Sequence, residues 1–144
     1  MQIEIFTICD AAQVYAGKAV VTGAYNQITV TNLPVMLQNV ALAVRVAFEK
    51  EENGDKSFNF TISNPDGTLL VPELRCETKQ IVEHDKAISP LTTYDLNIVF
   101  GNLHLAQYGG YTITMQYKEQ KYVHKFYVIE GKSKIVNGKV QNRN

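Results

Sequence analysis

The chain has 144 residues, with fourteen basic and fourteen acidic side chains, a size at which one domain closes a core without disulfide or metal staples. Its two cysteines, Cys9 and Cys76, lack C-x-x-C spacing, which argues against a secreted disulfide framework and a zinc or redox motif and leaves buried free thiols as the expectation. Residues 1–130 hold ten Lys and Arg against fourteen Asp and Glu, a net of minus four, and so acidic a body argues against nucleic-acid backbone recognition, which needs a dense basic face.

Taken in chain order, residues 3–12 form the first extended run. Tyr15-Ala16-Gly17-Lys18 then turns, and 19–25 make a second strand that 28–31 continue past a bend. Leu33-Pro34 breaks the ladder, because proline lacks the N–H donor and pushes its predecessor toward extended geometry, so 33–39 reads as a crossover loop or a single helical turn. Val40, Leu42, Val44, Val46 and Phe48 alternate with Ala41, Ala43, Arg45 and Ala47, the pattern of a strand buried on one face. The acidic turn 51–55 contains Asn53-Gly54, which takes the positive φ angles of tight turns, and Phe58, Phe60 and Ile62 face inward beyond it. These two strands are expected to pair antiparallel. The turn is read as solvated, since it lacks the alternating oxygen ligands of a calcium loop.

Asn64-Pro65-Asp66-Gly67 is a further turn, followed by a short run at 68–71 and a charged run at 73–83 that suits an edge strand, with a helix as the alternative. Tyr94, Leu96, Ile98 and Phe100 supply the next inward face, and 101–108 link it to a final hairpin. There Tyr111, Ile113, Met115 and Tyr117 alternate with Thr112, Thr114 and Gln116, Glu119-Gln120-Lys121 turns, and the second arm is read with Phe126 and Val128 inward and Val123, Lys125, Tyr127 and Ile129 outward. The last fourteen residues carry Lys132, Lys134, Lys139 and Arg143 and no acid. They read as a flexible basic tail in which Val136-Asn137-Gly138-Lys139 suits a small hairpin tip. Eight or nine strands without a long helix indicate an all-β, antiparallel β-sandwich over residues 1–130 and a tail over 131–144.

Gln107-Tyr108-Gly109-Gly110-Tyr111-Thr112-Ile113 resembles the immunoglobulin corner pattern Asp-x-Gly-x-Tyr-x-Cys at Gly109 and Tyr111, with Gln107 replacing the acid and Ile113 the cysteine. The resemblance implies a structural tyrosine corner, in which the Tyr111 hydroxyl reaches an upstream backbone carbonyl. No tryptophan is present, so the antibody core is absent while the immunoglobulin-like sandwich stands. More broadly, Asp10-Ala11, Gly17-Lys18, Gly23, Leu33-Pro34, the 41–48 strand, Asn64-Pro65-Asp66-Gly67 and Gly109-Gly110-Tyr111, in that order, resemble a bacterial family of small proteins of uncharacterised function. That resemblance implies no activity.

Candidate chemistry is sparse. His84 and Asp85 are neighbours that point to opposite faces of a strand, His104 and His124 lie far away in sequence, and no nucleophile elbow, phosphate loop or H-E-x-x-H is present. The reading is therefore no catalytic residue, no metal and no cofactor. Asp10, following Phe6 and Ile8 in the alternation of the first run, is the acid expected to be partly buried against a turn or backbone. Eight tyrosines are the aromatic surplus, and Tyr108, Tyr122 and Tyr127 are the candidate interaction surface. The expectation is a non-enzymatic protein-interaction or structural module with a protein partner or a second copy of itself, held by the Tyr-bearing face or by β-augmentation of an edge. The alternative is a small-ligand or carbohydrate binder in an inter-sheet pocket. Neither a signal peptide nor an apolar run of about eighteen residues is seen, so a cytoplasmic location without membrane contact is expected.

Overall fold

The computed structural model describes residues 1–49, 51, 52, 54–79 and 90–132, and the backbone of 134–136 and 139–141. It is all-β, with no helix among the described residues. The strands are β1 (Gln2–Cys9), β2 (Ala11–Tyr15), β3 (Lys18–Thr22), β4 (Gln27–Val30), β5 (Val35–Glu49), β6 (Lys56–Ser63), β7 (Leu74–Thr78), β8 (Leu91–Asp95), β9 (Ile98–Leu105), β10 (Gly109–Tyr117), β11 (Gln120–Glu130), β12 (Lys134–Val136) and β13 (Lys139–Gln141).

One sheet is organised around β5, which has β1 along one edge and β9 followed by β8 along the other, all antiparallel. The second sheet runs β4-β11-β10-β6-β7, antiparallel except for the parallel pair β4–β11. The pairs β2–β3 and β12–β13 form two small sheets of their own.

Side chains from both large sheets meet in one core. Phe48 of β5 lies 6.4 Å from Phe58 of β6 and 5.3 Å from Tyr117 of β10, and Ile8, Leu42, Ile113 and Phe126 are fully buried beside them. Lys56 is a buried lysine: its ammonium donates to the carbonyls of Glu52 and Gly54 and sits 4.8 Å above the Phe48 ring, so its charge is met by backbone dipoles and an aromatic face.

Several strand expectations change. The first run is broken at Asp10, where the chain leaves the sheet as the β2–β3 hairpin and returns at Gly23, tied by Asp10 N–H bonds to Thr22 O (3.1 Å) and Gly23 O (3.3 Å). Residues 35–39 belong to β5, because Val35 and Leu37 face Leu105 and Leu103 across the ladder. A bulge at Asn39 and Gly101, both with positive φ, lets the strand continue. Gly101 to Leu105, expected as a link, is thus the end of β9, and the inward positions shift from Ile98 and Phe100 to Leu103 and Leu105 across the bulge.

The expected pairing of β5 with β6 does not occur: the two strands lie in different sheets and face each other across the core through Phe48 and Phe58. The outer face of β5 is also not open to solvent. The β2–β3 hairpin folds onto it, burying Cys9, Ala41 and Ala43 with Ile5, Ala12 and Val21 packed against them. Arg45 fastens the hairpin tip, donating to Gly17 O at 3.2 Å while its fork holds both Asp95 oxygens at 2.8 and 2.9 Å.

Candidate functional site

The final hairpin carries most of the residues singled out from sequence. Tyr111 is completely buried, stacks on Phe126 at 5.1 Å, and donates from its hydroxyl to Gln107 O at 3.0 Å; the same hydroxyl accepts from Gln107 N–H at 3.2 Å. Gly109 has φ +124 and lies against Pro65, where a Cβ would come within 3.2 Å of the proline ring. Gln107 also donates to Asp66, whose carboxylate caps Thr68 and is held below the usual carboxylate range by the Thr68 hydroxyl and backbone and by Gln107. Gln107, bonded to Asp66, and Gly109, set against Pro65, tie the 64–67 turn to the start of β10, and the Tyr111 hydroxyl holds the Gln107 backbone.

The outer face of the five-stranded sheet follows from strand parity. On its three central strands the outward positions are Ser57, Asn59, Thr61 and Ser63 of β6, Gly110, Thr112, Thr114 and Gln116 of β10, and Lys121, Val123, Lys125, Tyr127 and Ile129 of β11. No acid stands among them. Val123 is 56% exposed, Tyr127 47% and Ile129 38%. The Tyr127 ring lies flat over Gly110, where a Cβ would sit 3.1 Å from it, so the glycine is what lets the aromatic ring rest on the sheet.

Tyr108 is 41% exposed just before Gly109, at the Tyr127 end of the same strand pair. Tyr122 lies on the opposite face of β11, packed against the core, with its hydroxyl on Gln120 at 2.6 Å. The three tyrosines thus do not form one surface, because Tyr122 and Tyr127 are an odd number of residues apart and a strand alternates faces.

His104 and His124 stand on strands of different sheets. His104 is exposed on β9, and His84 and Asp85 lie outside the described residues. His124 points inward to within 6.0 Å of the Phe6 ring, its Nε2 unpartnered among the described residues, and burial pushes its pKa down. Cys9 is buried with its thiol 3.4 Å from Ala11 O, Cys76 is half-buried, both are free, and burial raises both pKa values.

A cleft of about 390 Å³ opens between the two large sheets. Its origin is topological. β1 pairs with β5 only over Ala41 to Ala47, so residues 35–40 of β5 have no strand neighbour on that side among the described residues, while the returning chain crosses at Tyr25, bonded to Ile8 O at 3.1 Å, into β4. Asp10, Tyr25, Gln27 and Gln38 are the polar lining, with Ile28, Leu37 and Val40 as apolar wall. Asp10 is exposed, against the expectation of partial burial, because its carboxylate rests on Gly23 at the mouth, where a Cβ would approach to 2.1 Å.

Burial, followed by the charges of Asp10 and Cys9, pushes the Tyr25 hydroxyl up to about 12, so it remains a donor at neutral pH. Gln27 and Gln38 carry no sequence motif; only the end of β1 pairing marks their place.

The sequence profile of a family of unknown function (DUF6941) matches residues 4–127 of the chain. No curated protein and no solved structure matches it.

Proposed function

We propose that this chain, which belongs to the family of unknown function (DUF6941), is a non-enzymatic recognition module that holds a protein partner on the outer face of its five-stranded sheet. The carrying observation is the centre of that face: its three central strands carry no acid there, and Val123, Tyr127 and Ile129 of β11 are exposed, with Lys125 between the first two and hydroxyl side chains beside them, while the Arg75–Glu77 ion pair of β7 lies at the rim. Interface cores are depleted of charge and enriched in aromatic rings, and exposed apolar residues gathered on one sheet face mark a contact surface. The two charges on the outer face of the three central strands, Lys121 and Lys125, call for a partner surface with carboxylates opposite them.

The scaffold is best read as an immunoglobulin-like sandwich, supported by the parallel β4–β11 pair and the Tyr111 to Gln107 bond. The setting proposed is a bacterial cytoplasm; no helix among the described residues is long and apolar enough to cross a membrane.

The test is a photo-crosslinking residue placed at Tyr127, compared with one at Leu69, which is somewhat more exposed, on the 64–70 connection, in cells that make the protein naturally. One dominant adduct from position 127 alone supports the reading, and an adduct of twice 16.2 kDa identifies a second copy as the partner. Equal adducts from both positions, or none from 127, refute it.

A further inference from the structure

The cleft beside β4 has a feature that a small-molecule pocket does not need: an unpaired backbone edge. In the parallel pair, Tyr127 N–H donates to Asn26 O and Gly131 N–H to Val30 O, each at 2.8 Å. Successive residues of a strand send their N–H and C=O groups to alternate sides, so Asn26, Ile28 and Val30 face β11 while Gln27 and Thr29 turn theirs the other way. That way lies the cleft, which Gln27 and Thr29 line, and among the described residues β4 has no other strand neighbour. Across the opening, residues 35–40 of β5, paired with β9 on one side, have no strand on the other side beyond the end of β1 among the described residues. The Asp10 carboxylate at the mouth makes no hydrogen bond or ion pair among the described residues, and no Lys, Arg or His belongs to the lining.

We infer that this cleft takes a short extended peptide segment of a partner, which pairs main chain to main chain with Gln27 and Thr29 and places a lysine or arginine on Asp10. Two exposed residues on one side of a strand repeat at about 6.7 Å, a spacing that the main chain of an extended peptide reproduces and a sugar ring does not. The apolar wall of Ile28, Leu37 and Val40 accepts the side chains that point inward from such a segment. A lone carboxylate in a lining without cations repels acidic segments and favours basic ones. The inference does not rest on the open sheet face, which lies on the outer side of the same sheet.

The experiment is selection of a random heptapeptide display library on the full-length chain, followed by titration of the selected peptide into isotope-labelled protein with amide shifts read by NMR. The expected result is enrichment of lysine or arginine at one position, exclusion of proline from its neighbours, and shifts concentrated on Gln27, Thr29 and Val40. Asp10→Asn should weaken that peptide about two- to fivefold, the range of one solvent-exposed ion pair, and a version of the peptide with glutamate at the basic position should lose at least as much. Failure to select any peptide, selection without a basic preference, or shifts on Val123 and Tyr127 in place of β4 would overturn the inference. So would a titration with glucose or N-acetylglucosamine that moves the cleft amides when the selected peptide does not.

Discussion

On the sheet built around β5, the outer side chains Ala41 and Ala43 are covered by a second layer, the β2–β3 hairpin; on the five-stranded sheet, the outer side chains include Thr112, Thr114 and the β11 positions Val123, Lys125, Tyr127 and Ile129, and no strand lies over them among the described residues. The two sheets share one core, so their inner faces obey the same packing rule. Their outer faces differ because of residue size and one short hairpin. Alanines leave room for a hairpin to approach and to be pinned by Arg45 at Gly17, whereas β-branched hydroxyl side chains stand up from the sheet and keep contact with water. A strand that alternates apolar and small residues can thus be buried on both sides, while one that alternates apolar and threonine keeps an open side.

The sharpest way to break this contrast is to place the same charge on both outer faces. Ala43→Glu puts a carboxylate beneath the hairpin without a partner and is expected to cost about 3 kcal/mol or more. Thr114→Glu on the open face should stay within about 0.5 kcal/mol. Urea unfolding of both variants measures the difference, and equal losses would mean that the hairpin does not seal the β5 face.

A smaller effect separates a buried from an exposed tyrosine on the same hairpin. Tyr111→Phe removes the hydroxyl that bonds both backbone polar groups of Gln107, for an expected loss of about 1 kcal/mol. Tyr127→Phe should change stability by less than about 0.5 kcal/mol. The denaturation midpoints decide it, and a Tyr111→Phe variant as stable as the parent would remove the corner from the account of this sheet.

The smallest effect is a pH slope from the inner face of β11. Burial holds the His124 pKa below its ordinary value of 6.5, so the native state resists a proton that the unfolded chain accepts. Stability is therefore complete above about pH 6.5 and declines as the pH falls below that value. His124→Phe should flatten this part of the profile, measured as melting temperature against pH between 5 and 8, and an unchanged slope would show that other groups set it.

What was legible in the sequence was parity. The faces of β10 and β11 and the inward set Val40 to Phe48 follow from period-two alternation, because alternation is a property of the strand itself. Partnering was not legible. β5 and β6 are adjacent in sequence and joined by a turn rich in hairpin residues, yet Phe48 and Phe58 meet across the core from different sheets. The break at Asp10 was hidden since Ile8, Asp10 and Ala12 keep the alternation without a glycine or proline to mark the exit. The bulge that swaps the inward parity of β9 involves Asn39 and Gly101, two ordinary residues 62 positions apart. Asp10 stands out in the sequence as an acid in the alternation of the first run, but that it and Tyr25 flank one opening is a fact about where β1 stops pairing, which no local pattern encodes.

The parallel pair of β4 with β11 has a consequence for how the protein is made. Ile28 meets Val128 there, 100 positions further along the chain, whereas β2 with β3 and β10 with β11 are joined by tight turns. On a ribosome, the local hairpins close as each is extruded, but β4 waits for almost the entire chain before it acquires a neighbour. Ladders of such high contact order form slowly and leave an unpaired strand exposed in the meantime. A nascent or truncated product that ends before β11 thus presents β4 with both edges open.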